Sequence, residues 1–154
     1  MRPSVIQLRQ LVFKGIHLEP VEPTGEVIPE ATHIDFEGIV FRVNLGIETL
    51  ATDEENNGPH SFVVMLGIAI DNTEGKPSPY LLDMTALGLI EVNDQVEQEK
   101  RADLAAVNGA SLIYGAIREL VTTLTARSVA GLFVLPTMDF RDHLLPTESP
   151  PQDP

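Results

Sequence analysis

Four stretches of this chain place apolar residues at every second position, and the spacers between the later ones are too short to hold a helix. The stretches run from Val5 to Leu18, Ile34 to Thr49, Ser61 to Ile70 and Pro79 to Val92. In an extended chain, successive side chains point to opposite faces. Ile39, Phe41, Val43, Leu45 and Ile47 therefore share a face, as do Phe62, Val64, Leu66, Ile68 and Ile70. Tyr80, Leu82, Met84, Ile90 and Val92 form a third set, and Ile6, Leu8, Val12, Ile16 and Leu18 a fourth. Parallel strands need a crossover of about a dozen residues or more. The spacers ATDEENNGPH and DNTEGKPSP are turn-rich and shorter than that. The prediction is a four-stranded antiparallel sheet, drawn in its simplest form as a meander. The segment from Glu19 to Ala31, rich in Pro, Glu and Gly, reads as a loop.

A helix is predicted over Ala110 to Arg127, which makes the class α+β. Asn108 or Ser111 can cap it, because a short side-chain oxygen accepts a free N–H of the first turn. Leu112, Ala116, Leu120 and Leu124 recur every fourth residue, and Ile113, Ile117 and Val121 form the adjacent row. Tyr114, Arg118, Thr122 and Thr125 fall on the other side. Gly115 costs about 1 kcal/mol relative to Ala in a helix interior, so its use is the close approach of another backbone. The stripe is wide for so small a protein. It predicts an oligomer interface through Leu112, Ile113, Ala116, Ile117, Leu120 and Leu124. Leu81, Leu87 and Leu89, with Leu11 and Phe13, put further apolar residues on the second face of their strands. That points to self-association or an apolar binding surface. Residues 93–107 are charged, then Ala-rich, and read as a short helical connection. RDHLL after Phe140 reads as two helical turns. One domain is expected over 1–145, with 146–154 a disordered Pro-rich tail.

Composition narrows the function. Ten Lys and Arg stand against 23 Asp and Glu, a formal net charge of −13. Such a surface repels a phosphate backbone, so no nucleic acid is expected as a partner. With no cysteine, thiolate metal sites and Cys nucleophiles are excluded. His17, His33, His60 and His143 show no metal-ligand spacing, and no metal or cofactor is expected. Ser111 lacks a nucleophile-elbow context, and the glycines form no phosphate loop. Asp53 to Glu55 reads as a solvated hairpin tip. Asp139, Asp142 and His143 cluster, but capping by Asp139 accounts for the first of them. No enzyme is expected. The N-terminus has no apolar signal core, and no run of about eighteen apolar residues is present to enter a membrane directly. The expected location is the cytoplasm.

The C-terminal half carries a family resemblance. An apolar pair, then Tyr114, Gly115, Ala116, Ile117, Arg118 and Glu119, leads into a Val-Thr-Thr-Leu-Thr-Ala-Arg helix end. Leu135-Pro136-Thr137-Met138-Asp139-Phe140 follows. This pattern resembles the SecB protein-export chaperones, and the likeness extends more weakly over residues 4–145. Gly115, Ile117 and Ser128 depart from the family pattern.

The resemblance implies a SecB-like fold and an ATP-independent holdase that binds unfolded preproteins in apolar grooves. It also implies a homotetramer built as a dimer of dimers. Carried over residue by residue, the client groove comprises Phe41, Val43 and Leu45, with Leu132, Phe133 and Leu135 in the segment after the helix. Phe140 and Leu144 lie along its edge. Docking of the SecA translocase is implied at Glu19, Leu81 and Asp83. The family's fourth position there, an acid, falls on Gly15. Some SecB-like chaperones instead guard the antitoxin of a toxin–antitoxin pair. The alternative carried with the holdase reading is therefore a chaperone or adaptor dedicated to one such partner.

Overall fold

A computed structural model describes residues 1–22, 31–50 and 58–143. It contains strands β1 (Ile6–Pro20), β2 (Arg42–Thr49), β3 (Ser61–Ile70) and β4 (Tyr80–Val92), then one long helix, α1 (Gln98–Thr125). The four strands form one antiparallel sheet with α1 on one face, the α+β architecture expected. The order is β1-β4-β3-β2. β2, β3 and β4 form a meander, but β1 lies beside β4 rather than β2. The pattern of β4 accounts for its inner place: its apolar residues occupy both faces. The edge strand β2 alternates with Arg42, Asn44, Gly46 and Glu48.

The core lies between sheet and helix. Phe62, Val64, Leu66, Ile68 and Ile70 of β3 are at most 2% exposed, as are Leu82, Met84, Ala86 and Ile90 of β4. Two glycines set how closely the helix approaches. A Cβ on Gly109 would lie 2.9 Å from Val64 Cγ2 and 3.1 Å from Ile90 Cγ1. A Cβ on Gly88 would lie 3.1 Å from Ile113 Cδ1. A Cβ at Gly109 would force its neighbours to shift, and one at Gly88 would require Ile113 to give by a few tenths of an ångström.

Three local expectations change. β1 does not keep one phase. Its register against β4 shifts between Leu8 and Gln10 and again between Phe13 and Gly15. Each bulge adds one residue and turns the next piece of strand over. Ile6 and Leu8, then Leu11 and Phe13, then Ile16 and Leu18 pair with the helix-side residues of β4, whereas Val12 pairs with Leu87 on the outer face. β2 begins at Arg42, not near Ile34. Gly38, at φ 86°, makes a turn in which the Ile39 N–H reaches the Phe36 carbonyl at 3.0 Å.

The third change is α1 itself, which starts at Gln98 and absorbs the predicted connection. Asn108 and Ser111 are not caps. They sit inside the helix and donate back to the carbonyls of Leu104 and Val107. One 18-residue window of α1 reaches a mean hydropathy of 1.2, apolar enough to cross a bilayer by length and composition. Here 44% of that window is buried in the protein.

Candidate functional site

The segment after α1 is a strap. Phe133 and Leu135 are fully buried, while Leu132 and Val134 are 37% and 40% exposed. That alternation is the signature of an extended chain with one face against the core. The helix holds it by side chains that reach its backbone. The Phe133 N–H donates to Thr125 Oγ1 at 2.9 Å. Arg118 Nε donates to the Leu135 carbonyl at 2.7 Å, and the Tyr114 hydroxyl to the Pro136 carbonyl at 2.5 Å. The Tyr80 hydroxyl donates to the Gly131 carbonyl. Tyr114, Arg118 and Thr125 were expected on the open side of the helix. They form a second working face instead, because an extended backbone offers them partners. Burial pushes the Tyr114 phenol up to about 12, so it stays a neutral donor.

This packing corrects part of the expected groove. The Phe133 ring lies 5.1 Å from Tyr80 and 5.5 Å from Phe36, and the Phe140 ring 5.6 Å from Tyr114. Phe133 and Leu135 are core because period-two alternation sends them inward, and Phe140, out of that phase, is buried against Tyr114. Val134 takes the outward place expected for Phe133. Phe41, Val43 and Leu45 are half-buried on the helix side of β2, where Val43 and Leu45 pair with Ile68 and Leu66. Phe36, not predicted, links the two parts: its ring contacts Phe41 at 5.9 Å as well as Phe133. The result is an apolar shelf at the open β2 edge, with Leu132 and Val134 exposed on the strap. Leu144 lies outside the described residues, as does the 146–154 tail.

The predicted interface splits in the same way. Ile113 and Ile117 are fully buried within the chain and have no atoms to offer a partner. Leu112 and Leu124 are 44% and 47% exposed, and Ala116 and Leu120 are half-buried. At the other edge of the sheet, Leu8 and Ile16 of β1 are 36% and 54% exposed on the helix side.

Glu19, Leu81 and Asp83 do come together, on the sheet face turned away from α1. Glu19 pairs with Leu81, and Asp83 with His17. The surroundings are not uniformly acidic. A shallow groove of about 980 Å³ crosses all four strands here, and Lys14, Arg42 and Asp83 all line it. Gly15 pairs with Thr85 in its floor.

No protein-family model and no curated protein matches this chain. Solved structures do. One is the Mycobacterium tuberculosis SecB-like chaperone Rv1957 in complex with a peptide from the HigA1 antitoxin. It has a TM-score of 0.49 and 18% identity over 87% of this chain and 90% of that one. Another is a protein of unknown function from Streptococcus agalactiae, with a TM-score of 0.48 and 15% identity over 88% of this chain and 97% of that one.

The acidic cluster near the C-terminus has a structural role. Asp139 Oδ1 accepts the Arg141 N–H at 3.0 Å and caps the short turn Arg141–His143. The hydrogen bonds from Arg141 hold the Asp139 carboxyl down at about 2. Among the described residues no three His, Asp or Glu side chains converge as a metal site.

Proposed function

We propose that this chain is an ATP-independent holdase that keeps non-native polypeptides from aggregating in the cytoplasm. The observation that carries this reading is the strap. A buried row anchors it, and its outward row presents Leu132 and Val134 to solvent. Phe41, Val43 and Leu45 stand half-covered on the open β2 edge. From Ser128 to Met138 the strap has no charged side chain, in a chain of net charge −13. Shallow apolar contacts of this kind suit many sequences rather than one shape. The family resemblance of residues 112–140 supports the same reading.

The working form in this proposal is a homotetramer, a dimer of dimers. Leu112 and Leu124 of α1, with Leu8 and Ile16 on the open β1 edge, are the surfaces a second copy would cover. Unfolded preproteins and delivery to SecA are one client route. The second route is a single dedicated partner such as an antitoxin. Lys14 and Arg42 line the same groove as Asp83, so that face is not purely acidic, which favours this second route.

The test is aggregation of two unrelated denatured proteins on dilution, with and without the chain and with no nucleotide present. Suppression of both supports the holdase. Suppression of neither, with tight capture of one endogenous protein, points to the dedicated chaperone or adaptor.

A further inference from the structure

The groove on the sheet face turned away from α1 has charged ends and a nearly bare floor. Two ladder rows cross all four strands there. Gly15, Thr85, Gly67 and Asn44 pair in succession, and His17, Asp83, Ala69 and Arg42 form the next row. Gly67 and Ala69 keep the middle low, and a Cβ on Gly15 would meet nothing within 4 Å. Glycine inside a strand often marks a place where another chain or a ligand comes close.

Both ends carry a cation. Lys14 is the residue that the second β1 bulge leaves out of the ladder, and it lines the groove. Among the described residues it has no hydrogen-bond or ion-pair partner. Residues 1–18 hold Arg2, Arg9 and Lys14 and no acid. Arg9 is paired with Glu91, and Glu19 stands 3.7 Å from His17. At the other end Arg42 meets Asp71 through Nε at 2.9 Å and donates to Thr73 through Nη2 at 2.9 Å. Asp83 is the acid in the lining. Lys14 and Arg42 against Asp83 make the groove locally positive on a chain of net charge −13.

From this we infer that the groove binds an extended acidic segment of a partner polypeptide, with Asp or Glu at its first and fifth positions. β1 and β2 are separated by three interstrand spacings, about 14 Å. Four residues of extended chain rise by about the same distance and put the first and fifth side chains on one face. One carboxylate then meets Lys14 and the other Arg42. The middle side chain lies over the glycine floor, beside Thr85 and Asn44. Asp83 rejects an acid at that middle position. The inference goes beyond the holdase reading, because the strap lies on the other face of the sheet.

The chain has no tryptophan, so the fluorescence of a Trp-bearing synthetic peptide reports its binding to the full chain. The probe has Trp, then Glu at positions one and five with Ser and Thr between. It is expected to bind at low ionic strength and to weaken as salt rises. Moving the second Glu to position three, or replacing both by Lys, should weaken binding about tenfold or more. Lys14→Ala and Arg42→Ala should each cost about three- to fivefold, the worth of an exposed ion pair. Gly15→Leu fills the floor where no neighbour stands, so Tm should hold while binding falls about tenfold or more. Lys14→Glu should reject the probe and accept a copy in which one Glu is exchanged for Lys.

Equal binding of the one–five and one–three peptides overturns the inference, as does full binding by a folded Gly15→Leu protein. Absence of binding by the native chain at low salt overturns it too. Should Gly15→Leu fail to fold, the exchange at Lys14 decides. The holdase reading stands or falls separately, on the aggregation assay.

Discussion

Thr125 accepts the amide proton of Phe133 at 2.9 Å and sends its own hydroxyl proton to the Val121 carbonyl at 2.7 Å. One buried side chain thus closes the last turn of α1 and fastens the strap to it. Thr125→Val keeps the shape, removes both roles and leaves a buried N–H without a partner. The expected cost is about 1–3 kcal/mol, an unsatisfied buried donor being costlier than a hydrogen bond is favourable. A domain of this size should lose roughly 2–4 °C of Tm per kcal/mol. An unchanged Tm would show that the strap does not depend on this bond.

Phe133 and Val134 should behave oppositely. Phe133 is fully buried against Tyr80 and Phe36. Phe133→Ser is expected to cost roughly 3–5 kcal/mol of stability, as buried Phe truncations do. Val134→Ser should leave urea unfolding nearly unchanged and reduce client affinity. If the two substitutions proved equal in stability, the assignment of inward and outward rows would be wrong.

The glycines of α1 are not equivalent. Gly109→Ala puts a Cβ 2.9 Å from Val64 Cγ2, and overpacking should cost about 1–3 kcal/mol. A Cβ on Gly115 meets nothing within 4 Å. Gly115→Ala should therefore stabilise the isolated chain by about 1 kcal/mol. Light scattering separates two cases. Should Gly115→Ala also weaken assembly, another copy packs at that point of the helix.

Association should respond to Leu124 but not through Ile117. Leu124→Asp places a charge on a side chain that is 47% exposed, so the fold should survive while the oligomer dissociates at micromolar concentration. Ile117→Asp buries an unpaired charge and should unfold the chain, at a cost of several kcal/mol. A fully assembled Leu124→Asp protein would remove this flank from the interface.

Tyr114 predicts a loss of stability in alkali. Its phenol is raised from 10.0 to about 12 by burial, so the folded state holds its proton more tightly than the unfolded state does. The contribution is complete below pH 10 and declines as pH rises towards 12. Urea denaturation from pH 8 to 11.5 should show a steeper decline for the native chain than for Tyr114→Phe. Parallel curves would mean that the hydroxyl reaches water.

Sequence alone determined the elements that follow from strict periodicity. β3 matched its predicted bounds from Ser61 to Ile70, because uninterrupted alternation leaves one register and one buried face. The turn-rich spacers likewise dictated antiparallel pairing. The tertiary structure decided what local pattern cannot encode. The phase of β1 depends on two bulges, which exist only in its pairing with β4. The strand order depends on which strand is apolar on both faces once a helix has covered one of them. The client row is a further case. Phe133 and Val134 are both apolar and adjacent, and composition favours the larger ring as the contact. The direction each one faces is set by the Phe133 N–H donating to Thr125 and by Arg118 donating to the Leu135 carbonyl, partners 8 and 17 residues apart along the chain. Once those bonds orient the strap, alternation buries Phe133 and leaves Val134 in solvent.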